Sequence, residues 1–321
     1  MSVQQGRRTC MINKAGRMQN MAVGGKLARK KRRKENLIGY SFVSFSIIGF
    51  MAFMAFPMLY SLYISFMDWN MFVPEKSQFI GWKNYLNVFQ NEYFVRGFWN
   101  NVILAVMAVP GLLFLSLLVA TLLNQKIYAQ GALRVVYFLP YIAITTAAAL
   151  VFSALFHPEF GPINGILKAI GIENTPGWAT STQWALPTIA IFTIWKNVGY
   201  CIIIYLAALQ GVSQSYYEAA SIDGASKFQQ FFRITIPLVS PTTFFLLITN
   251  IIHSFKMFEE VQILTAGGPG TSSYTMVFHI YQSAFQEFKM GFAAAEAWVY
   301  FGVVLVVTAF QFWGEKKWVK Y

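Results

Sequence analysis

The sequence has little charge, little cysteine and no motif that binds nucleotides or builds a catalytic centre. Only 12% of its 321 residues are charged, against about 25% in ordinary soluble domains, which argues against a soluble globule. Cysteine occurs twice, at Cys10 in a basic stretch and at Cys201 in an apolar one, so neither a disulfide nor a cysteine metal site is expected. His157, His253 and His279 lack the His-Glu-x-x-His spacing of zinc enzymes. A G-x-x-x-x-G-K-[ST] phosphate loop is missing, as is a G-x-S-x-G nucleophile turn. The chain is therefore expected to hold no metal, to bind no ATP of its own through a P-loop, and not to be an enzyme.

What is present is a series of uncharged runs. The first lies between Glu35 and Asp68, more than the roughly 20 residues that cross a bilayer as a helix, and Pro57 is expected to kink it. It exceeds the 7–15 residues, roughly, of a signal-peptide core, so it reads as an uncleaved first membrane helix, with Met11, Met18 and Met21 as alternative starts. Further runs lie between Arg96 and Lys126, over Val135–Phe156, and over 185–209, 242–264 and 292–313. FIGWKNYLNVF has the mixed character of an interfacial segment. HPEFGPINGILKAIGIENTPGW reads as a loop with a short surface helix, and LTAGGPGTSS as a turn-rich loop. These runs predict an all-α membrane protein with six transmembrane helices.

The net charge of +12 is not a nucleic-acid signature, because eleven of the 25 Lys and Arg precede Glu35. A basic cluster abutting an apolar run marks a cytoplasmic flank that touches anionic lipid. With the N-terminus inside, 18 basic residues fall in cytoplasmic segments and five outside, while Lys196 and Lys256 fall within spans. Both termini are then cytoplasmic. The expected division is a basic tail at 1–36, a first helix and extracytoplasmic loop at 37–96, a five-helix core at 97–313 with a cytoplasmic loop at 211–241, and a tail at 314–321.

That cytoplasmic loop holds EAASIDGASKFQQFFRITIPLVSP at 218–241. Gly224 permits a sharp turn, Ser226 suits the cap of a second helix, and Pro237 and Pro241 redirect the chain into the next span. Tyr216, Tyr217, Ala219, Ala220 and Ile222 form a small apolar knob. The pattern fits two modes: a helix docked in a partner's groove, or an amphipathic helix lying on the membrane.

EAA-x-x-DGA followed by I-x-x-P resembles the coupling-loop signature of inner-membrane permease subunits of bacterial ATP-binding-cassette (ABC) importers. YFLPYI, FGPIN and the GGPG loop are similar to those of sugar-importer permeases, of the type that pairs with a different second permease. The likeness spans residues 37–321. It implies the type I ABC importer permease fold, a multi-pass place in the bacterial cytoplasmic membrane, and import of a mono- or oligosaccharide. The implied partners are a second permease subunit, two ATPase subunits that carry the ATP and Mg, an extracytoplasmic sugar-binding protein and membrane lipid. The implied ATPase-coupling residues are Tyr217, Glu218, Ala219, Ala220, Asp223, Gly224, Ala225 and Pro237.

Polar groups inside a span mark a pathway or a partner. Asn250, His253, Ser254, Met257 and Val261 recur at a helical spacing that places them on one face. Hydrogen-bonding groups beside Phe255 and Phe258 suit a sugar. Aligned on L-T-x-G-G-P, the resemblance to the maltose importer's large permease puts sugar-contacting positions on Asn250, His253, Ser254 and Met257. His, Ser and Met replace an aromatic residue and amides there, which argues against the same sugar. Asn197 and Tyr200 are further path candidates. Equally open is a reading in which Asn250 and His253 only hydrogen-bond between helices. Lys196 is expected to be structural, pairing with Glu259 or Glu260 or reaching the outer interface, and Glu296 to be an interfacial charge. Two other classes compete with an importer subunit. An ATPase-independent secondary transporter or channel would often show an internal repeat, and a membrane enzyme would need a catalytic cluster.

Overall fold

The computed structural model describes residues 36, 39–41, 43–125 and 128–318, with side chains to residue 315. The basic N-terminal tail with Cys10, Lys126 and the lysine side chains of the C-terminal tail lie outside these residues. The chain divides into two compact units, Met1–Ser61 and Leu62–Tyr321.

Helix α1, Gly39–Ser65, is 27 residues long and apolar enough to cross a membrane. Its disturbance at Pro57 takes the form of a π turn. Phe56 N–H donates to the Met51 carbonyl over Met51–Ala55, so the wider turn sits directly ahead of the proline, which has no N–H to give. Phe45, Phe53 and Met54 on α1 are exposed, as a span surrounded by lipid or partner helices requires.

The second unit opens with a short strand pair, β1 (Met67–Asp68) and β2 (Gln78–Phe79), antiparallel with Met67 opposite Phe79. The pair is a small departure from an all-helical chain. Helix α2 (Lys83–Gln90) is the expected interfacial segment. Buried Asn84 ties it to the Ser65 and Met67 carbonyls at 2.9 Å each. Helix α3, Glu92–Leu123, starts earlier than the apolar run suggests, because Asn91 caps it: the Asn91 Oδ1 accepts from Phe94 N–H at 2.9 Å. The next elements are α4 (Gln130–Ile142), α5 (Thr145–Leu155), α6 (Pro162–Ala169) and α7 (Ala185–Gln210). After these come α8 (Gln214–Ile222), α9 (Lys227–Leu238), α10 (Ser240–Lys256), α11 (Glu259–Leu264), α12 (Met276–Tyr281) and α13 (Met290–Trp318).

Among the described residues, four helices are long and apolar enough to cross a membrane, or up to six spans if each bent pair counts as one. Two expected spans are not straight rods. The run at Val135–Phe156 breaks into α4 and α5, which meet at 97°. Ala143 and Ile144 are extended between them. The run at 242–264 ends as a helix at Lys256, where Met257 and Phe258 leave helical geometry before α11 begins. Val261 therefore does not share a helix with Asn250.

Helices α3 and α7 are the central rods. Leu112, Leu117 and Ala120 of α3 meet Cys201, Ile202 and Tyr205 of α7 and Leu246 of α10. Nearer the other end, Leu104 and Ala108 pack with Ala149, Phe152, Ile189, Phe192 and Val261. In lipid, apolar transfer does not drive such contacts; close packing and interhelical hydrogen bonds do. At Gly97 an added Cβ would lie 2.9 Å from Met276 N, and at Gly199 it would collide with the Tyr137 carbonyl. Both closures need glycine.

Candidate functional site

The loop between α7 and α10 is a two-helix hook, capped at its turn and braced across it. The Ser213 Oγ accepts from Ser215 N–H at the start of α8. At its end, Ala225 N–H donates to the Ala220 carbonyl (2.9 Å) and Gly224 N–H to the Ser221 carbonyl (3.1 Å), the paired bonds of a Schellman cap. Gly224 has φ +78°, the left-handed value that this cap places on glycine. Ser226 then starts α9 with a capping box, its Oγ accepting from Gln229 N–H while the Gln229 Oε1 accepts from Ser226 N–H. The E-A-A-x-x-D-G-A-S pattern is thus the stop signal of one helix fused to the start signal of the next.

Two cross-braces lock the hook. The Tyr217 hydroxyl meets the Thr235 hydroxyl at 3.0 Å. The Gln230 amide donates to the Ser221 hydroxyl (2.9 Å) and to the Ala225 carbonyl (3.2 Å). Tyr217, Ala220 and Ala225 are half-buried against this frame, whereas Glu218, Ala219, Asp223 and Gly224 face outward. Tyr216 and Ile222 are exposed, joined by Phe228 from α9. Phe228 was not part of the expected knob. Its exposure on the second helix, beside Phe232 at a ring distance of 4.6 Å, extends the apolar tip across the turn. An i, i+4 count along α9 alone would not have joined it to α8. Pro237 follows a π turn, Phe231–Thr235, in which Ile236 N–H donates to the Phe231 carbonyl. This repeats the arrangement at Pro57. The chain then bends by 68° between α9 and α10, at Val239, two residues from each of Pro237 and Pro241.

The intramembrane polar residues sort by burial. Asn250 is buried and donates to the Leu246 carbonyl at 2.7 Å and to the Cys201 sulfur at 3.6 Å. Ser254 is buried and donates to the Asn250 carbonyl at 3.0 Å. Met257 is buried, with its carbonyl accepting from the Thr275 hydroxyl at 3.0 Å. Asn197 is buried and donates to the Thr193 carbonyl at 2.9 Å. Tyr200 is half-buried and stacks on Tyr141 at 4.9 Å. His253 alone of the six is exposed, and Lys256 is exposed one turn further on. Phe245, Thr249, His253 and Lys256 thus form an outward stripe on α10, while Asn250 and Ser254 turn inward. Among the described residues, no group of three or more His, Cys, Asp or Glu is placed to hold a metal ion.

Paired asparagines brace one end of the bundle. Asn100 donates to the Thr271 (2.9 Å) and Tyr274 (2.8 Å) carbonyls. Asn101 donates to the Ser254 carbonyl (2.8 Å) and accepts from Met276 N–H (3.0 Å). Together they fix the GGPG loop and the end of α10 onto α3. Burial pushes the Tyr274 phenol above its ordinary pKa, with Tyr93 and Glu287 adding to the rise. Glu296 is not an interfacial charge: it is fully buried in α13, with Oε1 2.7 Å from the His279 Nδ1 of α12. The partner lies 17 positions back and beyond a π turn at Gln282–Gln286, so local pattern gave no sign of it.

Residues 88–320 match the family described as "Binding-protein-dependent transport system inner membrane component". The chain is 34% identical over 281 residues to the probable ABC transporter permease protein YurN of Bacillus subtilis, covering 87% of this chain and 96% of that protein. It is 34% identical to the sulfoquinovosyl glycerol transport system permease SmoG of Agrobacterium fabrum, covering 79% and 82% of the two chains. A permease chain in the crystal structure of a bacterial ABC transporter that imports the acidic polysaccharide alginate superposes with a TM-score of 0.78 at 26% identity, over 90% of this chain and 99% of that one. A chain in the crystal structure of a bacterial alginate ABC transporter in complex with an alginate pentasaccharide-bound periplasmic protein superposes with a TM-score of 0.74 at 27% identity, over 88% of this chain and 94% of that one. These matches carry the type I importer fold and a place in the membrane, and the chain belongs to the inner-membrane permeases of binding-protein-dependent ABC transport systems.

Proposed function

We propose that this chain is one of two different permease subunits of an ATP-driven sugar importer. Both termini are cytoplasmic, the hook at 211–239 docks on an ATPase subunit, and the path runs along the surface shared with the second permease. The observation that carries this reading is the hook itself. It is a braced unit at the end of α7 that shows Tyr216, Ile222 and Phe228 outward, which suits a helix-in-groove contact. Lying flat on the membrane would suit a loose amphipathic helix, not a double-capped hook. ATP and Mg belong to the two ATPase subunits. Closure of the ATPase pair moves the hook, and α7 carries that movement into the bundle.

Relatives named for sulfoquinovosyl glycerol, lactose and sn-glycerol-3-phosphate transport support a sugar or sugar-like cargo. On the path side, the stripe at His253 and Lys256 supports a face covered by protein, because exposed ionisable side chains do not face hydrocarbon. Asn250, Ser254, Met257 and Asn197 stand behind it as the supporting layer, and Tyr200 is stacked on Tyr141 of α4.

The test is a gentle-detergent pull-down of the tagged protein from native membranes, followed by mass spectrometry. Recovery of a P-loop ATPase and a second permease, with the ATPase lost on changing Glu218 and Gly224, is expected. Recovery of this chain alone, under conditions that keep another importer intact, would favour a channel or secondary transporter.

A further inference from the structure

A buried lysine sits at the break in the third span. Lys196 of α7 is 7% exposed. Its Nζ donates to the Ala143 carbonyl at 2.7 Å and more weakly to the Pro140 carbonyl at 3.4 Å. Pro140 lies in the last turn of α4 and Ala143 is the extended residue that ends it. A helix end leaves its last four carbonyls without intrahelical donors, and here the chain turns through 97° instead of continuing. Irregular backbone within a bilayer persists only where protein or a water-filled cavity satisfies it. An amine with three donor positions does so here from a neighbouring helix. Glu259 and Glu260 form no ion pair with Lys196 among the described residues.

Two further contacts from the same part of α7 seat the same helix end. Gly199 lies directly against the Tyr137 carbonyl, and Tyr200 stacks on Tyr141 with rings 18° from parallel. From this seat α7 runs on without a break to Gln210 and enters the hook at Ser213. The hook and the broken span are therefore held by one rod.

We propose that Lys196 is a positioning residue of the transport cycle. By holding the end of α4 on α7, it passes the displacement of the hook to the third span, and without it ATP hydrolysis continues but no longer answers to the outer side. This inference rests on the importer reading above. A purely structural lysine would behave differently, because its loss would lower every activity in proportion to the amount of folded complex.

The experiment uses the full complex with its ATPase and its own binding protein, reconstituted in vesicles. Two quantities are read: stimulation of ATP hydrolysis by the binding protein, and the effect of ATP on maleimide labelling of an Ile142→Cys reporter on α4. For Lys196→Met, normal ATPase recruitment and basal hydrolysis are expected. Stimulation should fall by about tenfold, within the usual range of a coupling free energy, and labelling should cease to respond to ATP. Lys196→Arg should restore both. If Lys196→Met does not assemble, Lys196→Gln, which keeps a donor, gives the same readings, with a smaller loss expected. Wild-type stimulation and labelling in the neutral variant that assembles would overturn the inference, as would a loss of all activities in proportion to assembled protein. A wild-type complex that recruits no ATPase would instead overturn the importer reading, and this inference with it.

Discussion

At the scale of single residues, Gly224 and His253 make opposite demands. An added Cβ at Gly224 meets nothing within 4 Å, so crowding is not what excludes larger residues. The constraint is φ +78°, which costs an L-residue about 1–2 kcal/mol and a β-branched one more. Gly224→Val should therefore weaken ATPase retention and impair transport, while Gly224→Asn should do less harm, since Asn also serves at this cap position. The amount of ATPase retained in the pull-down ranks the variants, and equal retention in all would sink the argument. His253 is exposed and has no hydrogen-bond partner among the described residues. His253→Ala should change the kinetics of uptake and leave ATPase docking unaltered. Unchanged kinetics for every accepted sugar would make the side chain a bystander. Gly224 and Ser226 were legible in the sequence because caps depend on residues within one turn. The inward turn of Asn250 and Ser254 was not, since their helical face is chosen by Cys201 and Asn101 from other helices.

At the scale of elements, the hook depends on its braces and α12 on its buried pair. Gln230→Ala removes the amide that reaches Ser221 and Ala225. With each such bond contributing about 0.5–1.5 kcal/mol, amide exchange across 214–230 should quicken by about threefold or more while the bundle's exchange stays as it was. Mass-spectrometric exchange in detergent tests this, and an unaltered hook would mean that the caps suffice. For the buried contact in α12 and α13, His279→Ala leaves the Glu296 carboxylate without its neighbour. Leaving a buried polar group without its partner costs about 1–3 kcal/mol, so thermal stability of the solubilised subunit should drop. The double change His279→Ala with Glu296→Leu should recover part of it. Equal stability of single and double variants would show that the pair does not act as a unit. Helix existence was legible at this scale, because runs of apolar residues fix it. The breaks after Ile142 and Lys256 were not, because Lys196, Asn101 and Thr275, remote in sequence, satisfy the freed carbonyls.

At the scale of the whole molecule, the order of the apolar helices was legible in the sequence, because bilayer thickness sets the length of a run, whereas the bends that leave four to six spans were not. The sequence did not reveal which side of each span is covered in the assembly. Lys256 and His253 point out of the second unit, which in a bilayer calls for a protein or water neighbour. Thiols placed there by Lys256→Cys and His253→Cys should cross-link to the second permease. A thiol at Val106, exposed on α3, should not. Cross-linking at Val106 alone would place the shared surface on the exposed face of α3 instead.

The π turn at Phe231–Thr235 has a consequence for chain length. A π turn holds one residue more than an ordinary helical turn, and a residue advances a helix by about 100°. Each residue of the wider turn advances it by correspondingly less, so deleting one there lets the backbone close into regular helix without a gap and leaves the hook's apolar tip aimed nearly as before relative to α10. The protein should then insert, fold and meet the ATPase as it does now, whereas the same deletion within Gln214–Ile222 would rotate Tyr216 away from Ile222. The spare residue acts as slack in the chain ahead of Pro237.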